Sequence, residues 1–203
     1  SEIILTGLSE NEITLSSVAD YVKPIQKAGY ILGRIIEKFL KLVSIAAIET
    51  DTSKVEALRQ SRCNNVADVI AEESHKVSKE YERTEDLDLN LSQIHEASID
   101  QDNLRSIIYE LLDNAFKFSK AGQKVHITAY SDDNMLNLTI LDHGRGMRDA
   151  QIEHQGLYMQ FERWLYEHQG MGIGLTIARR LTELHGGKFR IESEIGKFTK
   201  IFV

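Results

Sequence analysis

The sequence predicts an α+β protein in which a long helical segment precedes a mixed region of helices and strands. Three observations carry this expectation. Val18, Val22, Ile25, Gly29, Leu32, Ile36, Phe39 and Val43 recur at alternating spacings of four and three residues, the pattern of a helix that packs one seam against other helices. Beyond residue 62, apolar residues alternate with polar ones in several short runs, which is strand periodicity. The 203-residue chain also holds a single proline, Pro24, which suits long helices and leaves no Pro-rich linker.

In order, Ser1–Gly7 reads as the end of a preceding helix stopped by Gly7, and Ser9–Thr14 as a polar turn. The heptad stripe sets a helix from about Ser16 to Glu49, roughly 50 Å long at ~1.5 Å per residue. Pro24 lies inside it as a local kink or an entry point. Asp51–Ser61 reads as a polar connector, and Asn64–Arg83 as an amphipathic helix with Val66, Val69, Ile70 and Val77 on one side. Asp86–Leu91 alternates strictly and predicts a half-buried strand, followed by a short extended piece at Ala97–Asp100. Leu104–Phe118 is a helix with Asp102 as its candidate cap. Lys124–Tyr130 and Met135–Leu141 are strands joined through Asp132-Asp133-Asn134, residues with hairpin-turn chemistry. Ile173–His185 is a helix closed by Gly186-Gly187, and Lys188–Ser193 and Phe198–Val203 are strands around Ile195-Gly196.

Composition narrows the function classes. Hydrophobic residues make up 42% and charged residues 27% of the chain, the balance of a soluble globular protein with a real core. The net charge of −7 resides in residues 1–100, with eleven basic and eighteen acidic groups against thirteen of each thereafter. Overall acidity argues against a nucleic-acid binder, and the balanced half is the better host for an anionic ligand. Lone Cys63 cannot form an internal disulfide, and no Cys/His cluster has zinc spacing. No apolar run is long enough to span a bilayer and no signal peptide opens the chain. A cytoplasmic location without membrane contact is the expectation.

Three segments in the second half carry chemistry. Glu110, Asn114 and Lys117 lie at i, i+4 and i+7 of the helix 104–118 and share one face. Such a face is usually a solvated one, but asparagine is a poor mid-helix residue, so a face of carboxylate, amide and amine calls for a reason. Asp142-His-Gly144-Arg-Gly146-Met147 directly follows a strand. A carboxylate there is costly if buried without a partner, and its glycines permit positive φ or close approach of another group. Gly170-Met-Gly172-Ile-Gly174-Leu175 opens a helix, where free backbone N–H groups make an anion site. It lacks the Lys-Ser/Thr of a phosphate-binding P-loop, and neither its spacing nor its context is that of a dinucleotide-binding fold.

Together, in this order and spacing, these segments resemble the catalytic domain of sensor histidine kinases, within the ATPase superfamily that includes DNA gyrase, a heat-shock chaperone and the MutL repair proteins. Glu110–Ser119 is similar to the N box, Asp142–Met147 to the G1 box (Asp-x-Gly-x-Gly), and Gly170–Leu175 to the G2 box. Tyr158–Arg163 is similar to the F box of the ATP lid, and Asp100–Leu104 to the turn entering the N-box helix. The resemblance implies a two-layer α/β sandwich of the Bergerat type, a mixed sheet covered by helices on one face, at 62–203. It implies a partial dimerisation hairpin at 1–61: the end of a first helix, a loop, the long second helix and a connector.

The roles that follow are those of the family. Asp142 would accept a hydrogen bond from the adenine amino group, selecting ATP over GTP. Asn114 would hold Mg²⁺, and Glu110 would act as general base or water-positioning group. Lys117 and Arg163 would face the phosphates, and Gly170, Gly172 and Gly174 would let backbone amides approach them. Phe118, Gly144, Gly146, Met147 and Leu175 would shape the pocket. The implied activity is transfer of the γ-phosphoryl group of ATP to a histidine, within a homodimer formed through the helical hairpin, for relay to a response-regulator receiver domain.

The departure is upstream. The family's His-Glu-x-x-x-Pro phosphoacceptor box is absent from this chain, and His75 in Glu72-Glu-Ser-His-Lys lacks the acid and the proline. The chain therefore reads as a kinase fragment whose phosphoacceptor lies elsewhere. A non-catalytic nucleotide-binding dimeric scaffold, or a serine kinase or ATPase of the same superfamily, are the alternatives. His143, at a G1 position often occupied by Asn, reads as a passive loop residue.

Overall fold

The computed structural model describes residues 15–94, 96–132, 135–148, 151–152 and 173–203, with side chains from residue 21. The expected helix end at Ser1–Gly7, the turn at Ser9–Thr14 and the tip residues Asp133-Asn134 lie outside these residues. The chain divides into two compact units, 1–41 and 42–203.

Helix α1, Leu15–Glu49, runs through both units and contains Pro24. In the first unit the heptad residues Val22, Ile25, Leu32, Ile36 and Phe39 are 36–58% exposed. In the second unit the same helix enters a core. Ile45 is 1% exposed, and Leu42 and Ile48 pack against the same cluster. The Glu49 carboxylate takes both Nε and the terminal nitrogen of Arg180.

Residues expected as a connector form helix α2, Thr52–Gln60. Asp51 caps it, accepting from the Ser53 and Lys54 amides. This corrects the sequence expectation, and the reason is physical. None of its residues is buried, so the helix lacks the apolar stripe by which helices announce themselves. It is held by its cap, by half-buried Val55 packing at the edge of the core, and by Arg59, whose Nε donates to Leu184 O at 3.0 Å.

Helix α3, Val66–Glu80, buries Val66, Val69, Ile70 and Val77 as expected. A short 3₁₀ turn, Thr84–Asp86, leads into β1, Leu87–Leu91. Helix α4, Gln101–Phe118, starts earlier than its apolar periodicity because Gln101-Asp102-Asn103 is polar. Asp100, not Asp102, is the cap, accepting from Asn103 N at 3.0 Å; Asp102 instead places its charge in the first turn, favourably for the helix dipole. β2 (Val125–Asp132) and β3 (Met135–Asp142) follow, then α5 (Ile173–Leu184), β4 (Arg190–Glu194) and β5 (Phe198–Phe202).

The five strands form one mixed sheet in the order β1-β2-β3-β5-β4. β1 runs parallel to β2, and the remaining pairs are antiparallel. Val125, Ile127 and Ala129 are buried while the intervening His126, Thr128 and Tyr130 are not, so one face packs and the other meets solvent. The packed face meets the helical layer: α4 lies against α3, α5 and β3. Leu104, Ile107, Ile108, Leu111 and Leu112 of α4 are all at most 1% exposed. The result is the expected two-layer α/β arrangement, and it fixes α4 beside the end of β3.

Candidate active site

The β2–β3 register pairs Val125 with Asp142, so Asp142 falls on the core-facing row of the sheet at the last position of β3. It is 7% exposed, and its Oδ1 accepts from Gly144 N at 2.9 Å. Burial disfavours the ionised form; it pushes the carboxyl up to about 6, with the Gly144 amide pulling the other way. At neutral pH the site therefore holds a buried, desolvated anion, suited to a neutral ligand that brings a hydrogen-bond donor.

The turn after Asp142 is wedged between two elements. On one side, Arg145 N donates to Phe118 O at 3.2 Å. A Cβ at Gly144 would lie 2.3 Å from that same oxygen, so only glycine fits. On the other side, Gly196 N donates to Arg145 O at 2.7 Å. Gly146 has φ +66°, and a Cβ there would lie 2.2 Å from Glu194 O, so both conformation and space demand glycine. Met147 N donates to Ser193 Oγ at 2.8 Å, and Ser193 Oγ to Phe198 O at 2.6 Å. The glycines of the Asp-x-Gly-x-Gly segment thus let one turn dock against both the end of α4 and the tip of the β4–β5 hairpin.

Helix α4 brings the second group of residues. Glu110 is 6% exposed, Asn114 is half-buried and Lys117 exposed, so the face runs from a buried acid to an open amine. Asn114 Nδ2 donates to Glu110 O at 2.9 Å, which turns the amide oxygen the other way. The half-buried Phe118 ring has the Arg145 guanidinium 3.9 Å and the Lys117 ammonium 5.2 Å from its centroid. Gly174 and Leu175 are buried in the first turn of α5, and Met147 packs at the edge of the core. Arg163, Gly170, Gly172 and the Tyr158–Arg163 stretch lie outside the described residues. His143 is exposed and stands edge-on to His126, which pairs with Asp88.

The sequence reading missed the groups that hold this geometry. Tyr81 Oη donates to Asp113 Oδ1 at 2.7 Å and its ring stacks on Phe116. Ser193 carries the hydroxyl that receives Met147, and Arg83, only 9% exposed, pairs with Asp86. The i, i+3 spacing of Arg83 and Asp86 was visible but is common on any polar stretch. Among the described residues no cluster of three His, Cys, Asp or Glu side chains could hold a metal, and no helix is long and apolar enough to cross a membrane.

Residues 99–203 match the family described as "Histidine kinase-, DNA gyrase B-, and HSP90-like ATPase", and the chain belongs to it. Its fold and motifs are those of a sensor histidine kinase catalytic, ATP-binding domain. Among curated proteins it is similar to an adaptive-response sensory kinase SasA of Prochlorococcus marinus, 28% identical over 95% of this chain and 51% of the relative. It is similar also to the histidine protein kinase DivJ of Caulobacter vibrioides, 34% identical over 53% of this chain and 18% of that protein. The chain thus spans about half the length of the SasA relatives it matches. Full-length ShkA in complex with AMPPNP has the same fold, with a TM-score of 0.67 at 21% identity over 95% of this chain and 39% of that one. So does the Acinetobacter baumannii histidine kinase AdeS, with a TM-score of 0.64 at 16% identity over 98% of this chain and 90% of that one.

Proposed function

We propose that this chain binds Mg-ATP and transfers the γ-phosphoryl group to a histidine carried on a helix that is not part of it, for relay to a response-regulator receiver domain. The observation that carries the reading is Asp142: a buried carboxylate at the end of β3, held by a glycine turn docked between the end of α4 and the tip of the β4–β5 hairpin. An ionised carboxylate is acceptor-only. It would therefore take the exocyclic amino group of adenine and reject the carbonyl that guanine presents there.

The remaining roles follow from chemistry and position. The Asn114 amide oxygen, turned away from the Glu110 carbonyl by the amide's own hydrogen bond, suits a hard cation. Mg²⁺ takes one or two protein oxygens and otherwise phosphate and water, which fits a site whose described residues offer no carboxylate cluster. When bound, the ion would supply charge neutralisation at the phosphates. Lys117, and Arg163 from the lid, would face those phosphates, with Gly170, Gly172 and Gly174 letting backbone N–H groups come close. In the transfer, the imidazole nitrogen of the acceptor forms the new N–P bond and the bond from the γ-phosphorus to the bridging oxygen breaks, leaving ADP. Glu110 would accept the proton the imidazole gives up. Phe118, Met147 and Leu175 would pack the pocket.

Residues 1–61 are proposed as the partial dimerisation hairpin and 62–203 as the catalytic domain, with homodimerisation through the heptad face of α1. The test is to supply a separate two-helix phosphoacceptor carrying a histidine. The wild-type chain should form acid-labile phosphohistidine on it. Glu110→Gln should bind ATP with near-unchanged affinity and lose transfer by about 100-fold or more. Full transfer by Glu110→Gln removes that residue from the mechanism. Binding without transfer by the wild type leaves a nucleotide-binding scaffold.

A further inference from the structure

The buried guanidinium of Arg83 belongs to none of the motifs. It sits between α3 and the 3₁₀ turn, and every one of its nitrogens is engaged. Nε donates to Asp86 Oδ2 at 2.6 Å. Nη1 donates to Phe116 O at 2.9 Å and to both Ser119 O and Ser119 Oγ at 3.1 Å. Nη2 donates to Lys120 O at 2.6 Å and Gln123 O at 2.9 Å. Its carbon lies 5.1 Å from the Phe116 ring centroid. Asp86 Oδ2 also receives Gly122 N at 3.0 Å, and its bond to Arg83 holds this carboxyl below its usual range.

A buried cation needs a partner, and Asp86 provides one. The rest of the fork goes to backbone carbonyls at the C-terminal end of α4 and the loop beyond, groups a helix end leaves without intrahelical donors. A lysine, a single point donor, could not hold this set. The carbonyls Arg83 takes, at 116, 119, 120 and 123, flank Phe118 O, which it leaves alone. Phe118 O receives Arg145 N and abuts Gly144 instead. The backbone of residues 116–123 is therefore gripped by Arg83 and presents the Phe118 carbonyl to the turn that follows Asp142.

We infer that Arg83 is a positioning residue of the nucleotide site: by fixing the end of α4 it sets Asn114 and Lys117 at their distance from Asp142. It touches no nucleotide atom and acts through the backbone of residues 116–123. The inference rests on the ATP reading above and deepens it. Adenine would be read at the Asp142 turn, which the β4–β5 tip also holds, whereas the phosphates and their cation would be read by α4. Loosening the end of α4 should weaken a ligand that spans both groups and spare one that needs only the first. General destabilisation would weaken both alike.

Calorimetric titrations of the full chain at pH 7.5 with Mg-ATP and with adenosine test this, using Arg83→Met, Arg83→Lys and Asp86→Asn and circular dichroism to verify folding. Arg83→Met should lose about tenfold or more in Mg-ATP affinity while adenosine affinity stays within about twofold, with Arg83→Lys and Asp86→Asn shifted in the same direction by less. If Arg83→Met does not fold, the same split in the two milder variants decides the question. Unchanged Mg-ATP affinity, or a parallel fall for both ligands, overturns the role of Arg83. A wild-type chain that binds neither ligand overturns the nucleotide reading itself, and this inference with it.

Discussion

Two stretches of a single helix experience different surroundings. Ile25, Leu32 and Ile36 of α1 are 50–58% exposed, whereas Ile45, on the same helix and of the same chemistry, is 1% exposed. The difference follows the division between the compact units at Lys41 and Leu42. The second unit closes a core of its own around the sheet, α3, α4, α5 and the end of α1. The first presents an apolar seam of heptad spacing, and such a seam gains stability only when another helix covers it. The unit that carries Asp142 and Glu110 thus buries its own core, and the seam of the other is the surface on which the proposed homodimer rests.

That contrast is open to attack from both sides. The largest effect is expected in the first unit. Ile25→Asp with Leu32→Asp should turn a self-associating chain into a monomer in sedimentation velocity, with Mg-ATP affinity within about twofold of wild type. A monomeric wild type, or loss of nucleotide binding along with the dimer, would break the division of labour. In the second unit, Gly146→Ala should lower unfolding free energy by about 3 kcal/mol, because it forces a Cβ onto Glu194 O at a left-handed backbone position. Chemical denaturation reads this directly.

Asp142→Asn should do the opposite at neutral pH. Burial lifts the carboxyl from 3.8 to about 6, so its neutral form contributes stability below pH ~4 that is lost as pH rises through about 6. Removing the charge should therefore stabilise the ligand-free fold at pH 7.5 by up to about 3 kcal/mol, with the gain vanishing toward pH 4, in denaturation curves across that range. Such a stability gained at the expense of binding marks a functional group rather than a packing one. The smallest effect is at a helix end: Asp100→Ala removes the α4 cap and should cost about 1 kcal/mol without altering which nucleotide binds.

The elements legible in the sequence were those whose order is local. The heptads of α1, the alternation of β1 and the Gly186 stop of α5, observed at φ +81°, all express themselves within one stretch of chain. Helix α2 escaped because none of its side chains is fully buried, and half-buried Val55 and Leu58 make too short a stripe to read as a period. The cap of α4 was displaced from Asp102 to Asp100 because a polar first turn carries no apolar phase. In the site, the spacing of Glu110, Asn114 and Lys117 and the glycines at 144 and 146 were visible. Their reason was not: Gly144 is required by Phe118 O, and Gly146 by Glu194 O, contacts made only when distant segments meet. Arg83 was illegible for the same cause, since five of its six hydrogen bonds reach residues 33–40 positions away in sequence.

The central claim is that a buried carboxylate at the end of β3 reads an adenine nucleotide, and titrating Mg-ATP and Mg-GTP into the wild type and into Asp142→Asn at pH 7.5 tests it most directly. The wild type should bind Mg-ATP, and Mg-GTP at least about 100-fold more weakly, while Asp142→Asn should lose about 100-fold in Mg-ATP affinity despite its firmer fold. Equal affinity for the two nucleotides, or Mg-ATP binding unchanged in Asp142→Asn, would contradict it.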